Sequence, residues 1–339
     1  MSDRYQELDL PFYHKEIAPM LPERILDFHT HIWKSENWSN VPWQGDTKGG
    51  QYMVTVEDYT AETLLTDGNL CFPDRDYHAV CFGWPAPTVD WRKDTDFVAN
   101  SARQNDNLHP LVICGKDLAI SRADYEQVLD PFYGFKVCLN WQGNDYGQIR
   151  VEDMISEEEI AIANERRLIV LLHVPRSGRL VDPEVQKGVR WLSQQCPNAQ
   201  IVIAHCGRCY IPSEMKAAIN CLSDLENVSM DTSMVMDPIV LQIAINHIGS
   251  ERLVFGTDFP VAIMRGRRVQ VMDHWVDVVL PGYAQSAFRV SGDDIHATFM
   301  TWEIVLAIRW AAEMTGLSES QIHGIFWDNG MRMLKQVVR

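Results

Sequence analysis

Short apolar runs recur along the chain, and between them the apolar positions fall at helical spacing. Eight runs stand out, at residues 24–28, 77–82, 108–114, 134–139, 168–172, 200–204, 227–230 and 252–255. They are short and rich in Ile, Val, Leu and Phe, as strands buried on both faces are. Helical patterns occupy residues 90–106, 156–167, 183–195, 214–225 and 238–248. Ser156 followed by Glu159 has the spacing of a capping box at a helix start. Strands alternating with helices imply βαβ units, a parallel sheet and right-handed crossovers. From the second run onward the units repeat at roughly 25–37 residues, enough for one strand, one helix and their loops. Eight such units predict an α/β protein folded as a closed (β/α)8 TIM barrel rather than an open doubly wound sheet.

The pattern gives no reason to divide the chain. Residues 1–339 are expected to form one domain, with the barrel at about 24–290 and a C-terminal helical extension at about 293–339. That extension reads as two helices, around residues 296–314 and 318–336. The first loop, residues 32–55, is long and carries Trp33, Trp38 and Trp43, which suit a lid, a loop anchor or a subunit contact. No G-x-G-x-x-G, P-loop or G-x-S-x-G pattern follows any strand, so the common dinucleotide, nucleotide and serine-hydrolase signatures are absent.

Charge narrows the partners. Thirty Lys and Arg against 46 Asp and Glu give a formal net charge of −16, which argues against nucleic acid or an anionic membrane as a partner. A local basic patch would still suit a small anionic substrate. No apolar run approaches the length of a membrane span, and the start of the chain lacks a signal-peptide layout, so a cytoplasmic protein is expected. Eight scattered cysteines then read as free thiols. Cys206-Gly207-Arg208-Cys209 is a lone C-x-x-C, without the second pair a structural zinc site needs, and reads as loop or core thiols.

The candidate chemistry lies where the apolar runs end. His29-Thr30-His31 closes the first strand, and two histidines at i and i+2 on an extended chain share a face, so both can reach one metal ion. Alone, the pair would more often be two partly buried histidines bonded to backbone. However, His173 closes the fifth strand, His205 the sixth, and Asp258 follows the eighth, while Lys136 lies in the fourth. Metal-ligand residue types at several strand carboxyl ends converge where barrel active sites are built. Arg265, Arg267 and Arg268 cluster beyond the eighth strand, and Arg176 and Arg179 follow His173. Of these, Arg265, Arg267 and Arg176 are candidates to fork a substrate carboxylate, the plainer reading being surface ion pairs.

The stretches Asp27-Phe28-His29-Thr30-His31, Ile203-Ala204-His205-Cys206-Gly207 and Phe255-Gly256-Thr257-Asp258-Phe259-Pro260, with Lys136 and His173 between them, resemble the amidohydrolase superfamily, most closely its amidohydrolase-2 branch. The closing Phe326-Trp327-Asp328-Asn329-Gly330 resembles that family's C-terminal helix. The resemblance implies one divalent metal, zinc first and manganese otherwise, held by His29, His31, His173 and Asp258. Asp258 then acts as general base toward metal-activated water, and His205 orients that water or stabilises developing charge. Lys136 is either a carboxylated bridge to a second metal, a substrate-binding cation, or a lysine paired to a neighbouring acid. The expected reaction is hydrolysis of a C–O or C–N bond, in a lactone, ester or amide of a small carboxylated compound. The runner-up is non-oxidative decarboxylation of an unsaturated or aromatic acid on the same site. The resemblance leaves a homo-oligomer open, since many barrels of that family pair up, and the tryptophan-rich first loop is a candidate contact.

Overall fold

The computed structural model describes residues 4–38, 56–85, 89–138, 147–279 and 297–338. Strands β1 (Arg24–His31), β2 (Asp76–Phe82), β3 (Leu108–Cys114), β4 (Gly134–Val137), β5 (Ile169–Leu172), β6 (Gln200–Ile203), β7 (Val228–Asp231) and β8 (Leu253–Val254) pair in parallel and in sequence order. Backbone hydrogen bonds from Phe28 N to Phe255 O (2.8 Å) and from Asp258 N to His29 O (2.8 Å) join the ends of the sheet. The expected eight-unit TIM barrel is the observed fold.

Each strand is followed by a helix on the outside: α1 (Ala61–Cys71), α2 (Trp91–Gln104), α3 (Arg122–Val128), α4 (Glu157–Arg166), α5 (Pro183–Gln195), α6 (Pro212–Ala218), α7 (Pro238–Ile248) and α8 (Met300–Thr315). Their starts follow local chemistry. Ser156 and Glu159 form the anticipated reciprocal capping box at α4, and Asp182 and Asp237 cap α5 and α7 just ahead of Pro183 and Pro238. The strands are almost wholly buried, which explains why they read as unbroken apolar runs. No helix among the described residues is long and apolar enough to cross a membrane.

Two departures from the minimal barrel matter. An antiparallel hairpin, β9 (Gly266–Val271) and β10 (His274–Val279), is inserted between β8 and α8. It was not anticipated, and the segment after it, residues 280–296, lies outside the described residues together with Trp43 and His296. At the other end of the barrel the C-terminal helix Asn329–Gln336 packs beneath β1. Gly330 sits so close that a Cβ would come within 2.7 Å of Leu26 and 2.9 Å of Phe28. Buried Asn329 donates from Nδ2 to Ser250 O (2.9 Å) and Leu253 O (2.8 Å), clamping the helix to the start of β8. Asn329→Ala strands both carbonyls and is expected to cost roughly 2–3 kcal/mol, read from urea unfolding. An unchanged midpoint and slope would remove Asn329 from the closure of the barrel.

Candidate active site

β1 does not run in perfect register. Asp27 pairs with Ala79 but Thr30 with Cys81, so one residue is gained between them, a β-bulge that takes in Phe28 and His29. Asp27 consequently turns into the wall, where it accepts from Tyr77 Oη (2.9 Å), Thr257 N (2.9 Å) and Thr257 Oγ1 (2.5 Å). His29 and His31 face the barrel mouth instead. Lys136 comes from β4. His173 stands immediately beyond β5, His205 two residues past β6, and Asp258 four residues past β8.

These side chains meet. Asp258 Oδ1 lies 3.4 Å from His29 Nε2 and 3.3 Å from His31 Nε2. Lys136 Nζ is 3.3 Å from His29 Nε2, is buried, and sits over the Phe82 ring. The His205 ring centroid is 4.5 Å from that of His29, and His173 stands edge-on to His205 at 5.2 Å.

The sequence reading missed two residues that organise the cluster. Asp231, the last residue of β7, takes a hydrogen bond from His29 Nδ1 (2.8 Å) through one oxygen. Its other oxygen accepts from His205 N (2.8 Å), Ser233 N (3.0 Å) and Ser233 Oγ. Since Ser233 gives its one proton to Asp231, it accepts from His205 Nδ1, at 2.7 Å. His31 Nδ1 has Gly83 O as its neighbour, at 3.4 Å. Asp231 and Gly83 O can only accept, so His29, His31 and His205 all carry the proton on Nδ1 and keep Nε2 as the lone-pair nitrogen.

Electrostatics favour the same state. Burial lowers the pKa of all four histidines, and that of His29 and His173 falls well below the ordinary range, the Lys136 and Arg208 charges adding to the effect on each respectively. Burial would raise Asp258, but His205, His31 and His29 around it outweigh that and hold its pKa at about 2. Burial also lowers Lys136. Neutral imidazoles beside an ionised carboxylate are the protonation state a divalent cation requires of its ligands.

The residues therefore fit a metal. Nitrogens of His29 and His31 and a carboxylate oxygen of Asp258 lie within 4.8 Å of one another. A second trio of this kind, His29, His205 and Asp231, is occupied by its own hydrogen bonds. His173 belongs to neither trio among the described residues. The tie between His29 and Asp231 is a carboxylate–histidine pair of the kind that orients metal ligands.

The arginines fall elsewhere. Arg265 forks the carboxylate of Asp9 and lies over Phe299, 4.1 Å from its centroid. Arg176 pairs with Asp182 (2.8 Å), and Arg267 is exposed between Glu303 (3.5 Å) and Met236 O (3.1 Å). Arg268 is buried between Tyr210 and Trp275 and paired with Asp277, pinning the hairpin to the loop after β6. Arg208, not singled out by the sequence reading, donates to Val174 O and Arg176 O, which places its charge against His173 and His205. Cys206 and Cys209 are buried free thiols, with pKa values raised by that burial.

The turn carrying His205 is unusual. His205, Cys206, Gly207 and Arg208 have φ of 54°, 47°, 69° and 60°, a single turn wound left-handed, and Asp258 is left-handed too, at 72°. L-residues adopt this conformation at a cost of about 1–2 kcal/mol each, and such strain collects at functional sites. At Gly207 a Cβ would also approach Leu180 to 2.6 Å.

Comparison with known proteins agrees with this picture. The family model Amidohydro_2, described as amidohydrolase, matches residues 26–336. An amidohydrolase from Burkholderia multivorans, solved with bound zinc, superposes with a TM-score of 0.59 at 16% identity, covering 92% of this chain and 99% of that one. A candidate 2-pyrone-4,6-dicarboxylic acid hydrolase from Pseudomonas putida gives 0.57 at 14%, covering 94% and 100%. A 2,6-dihydroxybenzoate decarboxylase from Rhizobium gives 0.58 at 13%, covering 93% and 99%. At these identities the likeness is one of fold. No curated protein matches the chain.

Proposed function

The chain belongs to the amidohydrolase-2 family, and from that premise we propose that it hydrolyses a C–O or C–N bond in a lactone, ester or amide of a small carboxylated compound. The observation that supports this reading is the Asp258 carboxylate at the barrel mouth, its Oδ1 3.4 Å from His29 Nε2 and 3.3 Å from His31 Nε2. A carboxylate at this position can take a proton from water and pass it to a leaving group. Decarboxylation would instead use the site to hold the substrate while a proton replaces carbon dioxide on carbon. The decarboxylase among the structural neighbours keeps that reaction as the second reading.

His29, His31 and Asp258 would hold a divalent ion, zinc by preference, and the family resemblance adds His173, whose ring stands 5.2 Å from that of His205, as the fourth ligand. Such an ion supplies Lewis acidity, polarising a carbonyl and lowering the pKa of water to about 7. His205, with its proton on Nδ1, offers Nε2 to accept from the attacking water and orient it. Lys136 Nζ faces the His29 Nε2 lone pair at 3.3 Å, and with that lone pair given to an ion Lys136 would be left to bind a substrate oxygen. Arg208 supplies a second cation beside His173, which supports an anionic substrate. Arg176, Arg265 and Arg267 remain candidates only where a substrate draws them from Asp182, Asp9 and Glu303.

Turnover of a panel of lactones, amides and carboxylic acids in ¹⁸O-water separates the two reactions. Hydrolysis places one ¹⁸O in the product carboxylate and releases no carbon dioxide. Carbon dioxide released from a product free of ¹⁸O would replace the hydrolase reading with the decarboxylase one.

A further inference from the structure

A buried carboxyl group outside the ligand set lies close to it. Asp94, in the first turn of α2, is 3% exposed, and its Oδ1 is buried without a hydrogen-bond partner among the described residues. The Trp84 backbone N–H donates to this carboxyl group. Gly83 has no room for a side chain, because a Cβ there would land on Asp94 Oδ2. The carboxyl group thus fills the space behind the Gly83–Trp84 backbone. On the other side of that backbone, Gly83 O faces His31 Nδ1.

We propose that Asp94 is a positioning residue for the metal centre, bracing the Gly83–Trp84 backbone so that the Gly83 carbonyl fixes the tautomer and orientation of His31. The inference rests on the reading of His31 as a metal ligand. His31 has no carboxylate on its Nδ1 side, unlike His29 with Asp231, so a backbone carbonyl must do that work. A carbonyl in a β–α loop is only as fixed as the loop, and Asp94 ties this one to the rigid start of α2. Burial, with Asp90 adding to it, raises the Asp94 pKa to about 8, so the group is a neutral acid at pH 7 and asparagine is its near isostere. The Cys138 thiol, the titratable group facing it from the end of β4, is raised by burial and is uncharged as well.

The test is Zn²⁺ affinity, measured by competition with a chromophoric chelator, for the parent, Asp94→Asn and Asp94→Ala. The expected result is a loss of roughly 10–100-fold for Asp94→Ala, with Asp94→Asn within about threefold of the parent. Asn329→Ala, destabilised at the far end of β8, should bind as the parent does, which separates positioning from a general loss of stability. Should Asp94→Ala not fold, Asp94→Ser, too short to brace Trp84, takes its place. Equal affinity in all variants overturns the inference, and so does an equal loss in Asn and Ala. If the parent itself binds no Zn²⁺, the metal reading falls first and this one with it.

The pH dependence of stability gives an independent readout. A buried acid with a raised pKa stabilises the fold while protonated, and that contribution fades as pH rises from about 4 through about 8. Asp94→Asn should therefore lose less Tm than the parent between pH 6 and pH 9. An identical pH slope in the two proteins would contradict a neutral carboxyl group at this position.

Discussion

His29→Ala is expected to strip the protein of its metal. Purified without chelator, the parent should carry about one equivalent of a divalent ion per chain, and the variant close to none. The reason is geometric: His29 Nε2 is the one nitrogen facing both Asp258 and Lys136, and its other nitrogen is committed to Asp231. Removing it leaves His31, Asp258 and His173 without the nitrogen that joins β1 to the rest of the set. The parent should also gain thermal stability with added Zn²⁺ in proportion to the logarithm of its concentration, and the variant should not. About two equivalents in the parent would instead make Lys136 a carboxylated bridge, testable by the loss of one equivalent in Lys136→Ala. No metal in either protein, even after loading, would leave the histidines as a proton-handling site.

Asp231→Ala should be the most destabilising change near the site. One buried carboxylate accepts from His29 Nδ1, His205 N, Ser233 N and Ser233 Oγ, so its removal leaves four donors without their acceptor. A loss of roughly 3–5 kcal/mol is expected from urea unfolding. Asp231→Asn is the more informative variant. It keeps the volume and much of the stability, yet its amide can turn an N–H toward His29 Nδ1 and reverse that tautomer, putting the proton where a metal must bind. Zn²⁺ affinity should fall roughly 10–100-fold. Full affinity in Asp231→Asn would show that the tautomer of His29 is set by something else.

Much of this architecture is legible in the chain, and the exceptions have physical causes. The eight apolar runs give the barrel because strands buried on both faces have no room for polar residues. His29, His31, His173, His205 and Asp258 are legible because strand ends must be polar, and metal-ligand types gathered at several of them stand out. Asp231 also closes an apolar run, in Val228-Ser229-Met230-Asp231-Thr232, but with no histidine or family-like stretch around it, it reads as one more turn residue. Its importance comes from neighbours 202 and 26 residues away. Arg265 shows the reverse case, since its position after β8 suggests the site rim, yet Asp9, 256 residues earlier, claims its fork. The bulge in β1 is a property of pairing, not of one strand. The β9–β10 hairpin lacks a clean period-two pattern, with Trp275-Val276 and Val278-Val279 adjacent, and its turn, Met272–Asp273, lacks the Asn-Gly or Gly that marks tight hairpins, so that Met272 takes the left-handed φ of 57° itself.

The junction of β1 with the segment after β8 bears on how the protein is made. The hydrogen bonds that complete the sheet link residues about 230 positions apart, and Phe255 N is in turn held by Ile325 O, close to the last helix. On the ribosome, the first strand emerges long before its partner exists. Through most of synthesis it presents a bare edge with Ile25, Leu26 and Phe28 ready to pair with any exposed strand. Closure waits until Phe255, Asp258 and Ile325 have left the exit tunnel, so nascent chains shortened ahead of residue 325 should bind chaperones or aggregate rather than fold.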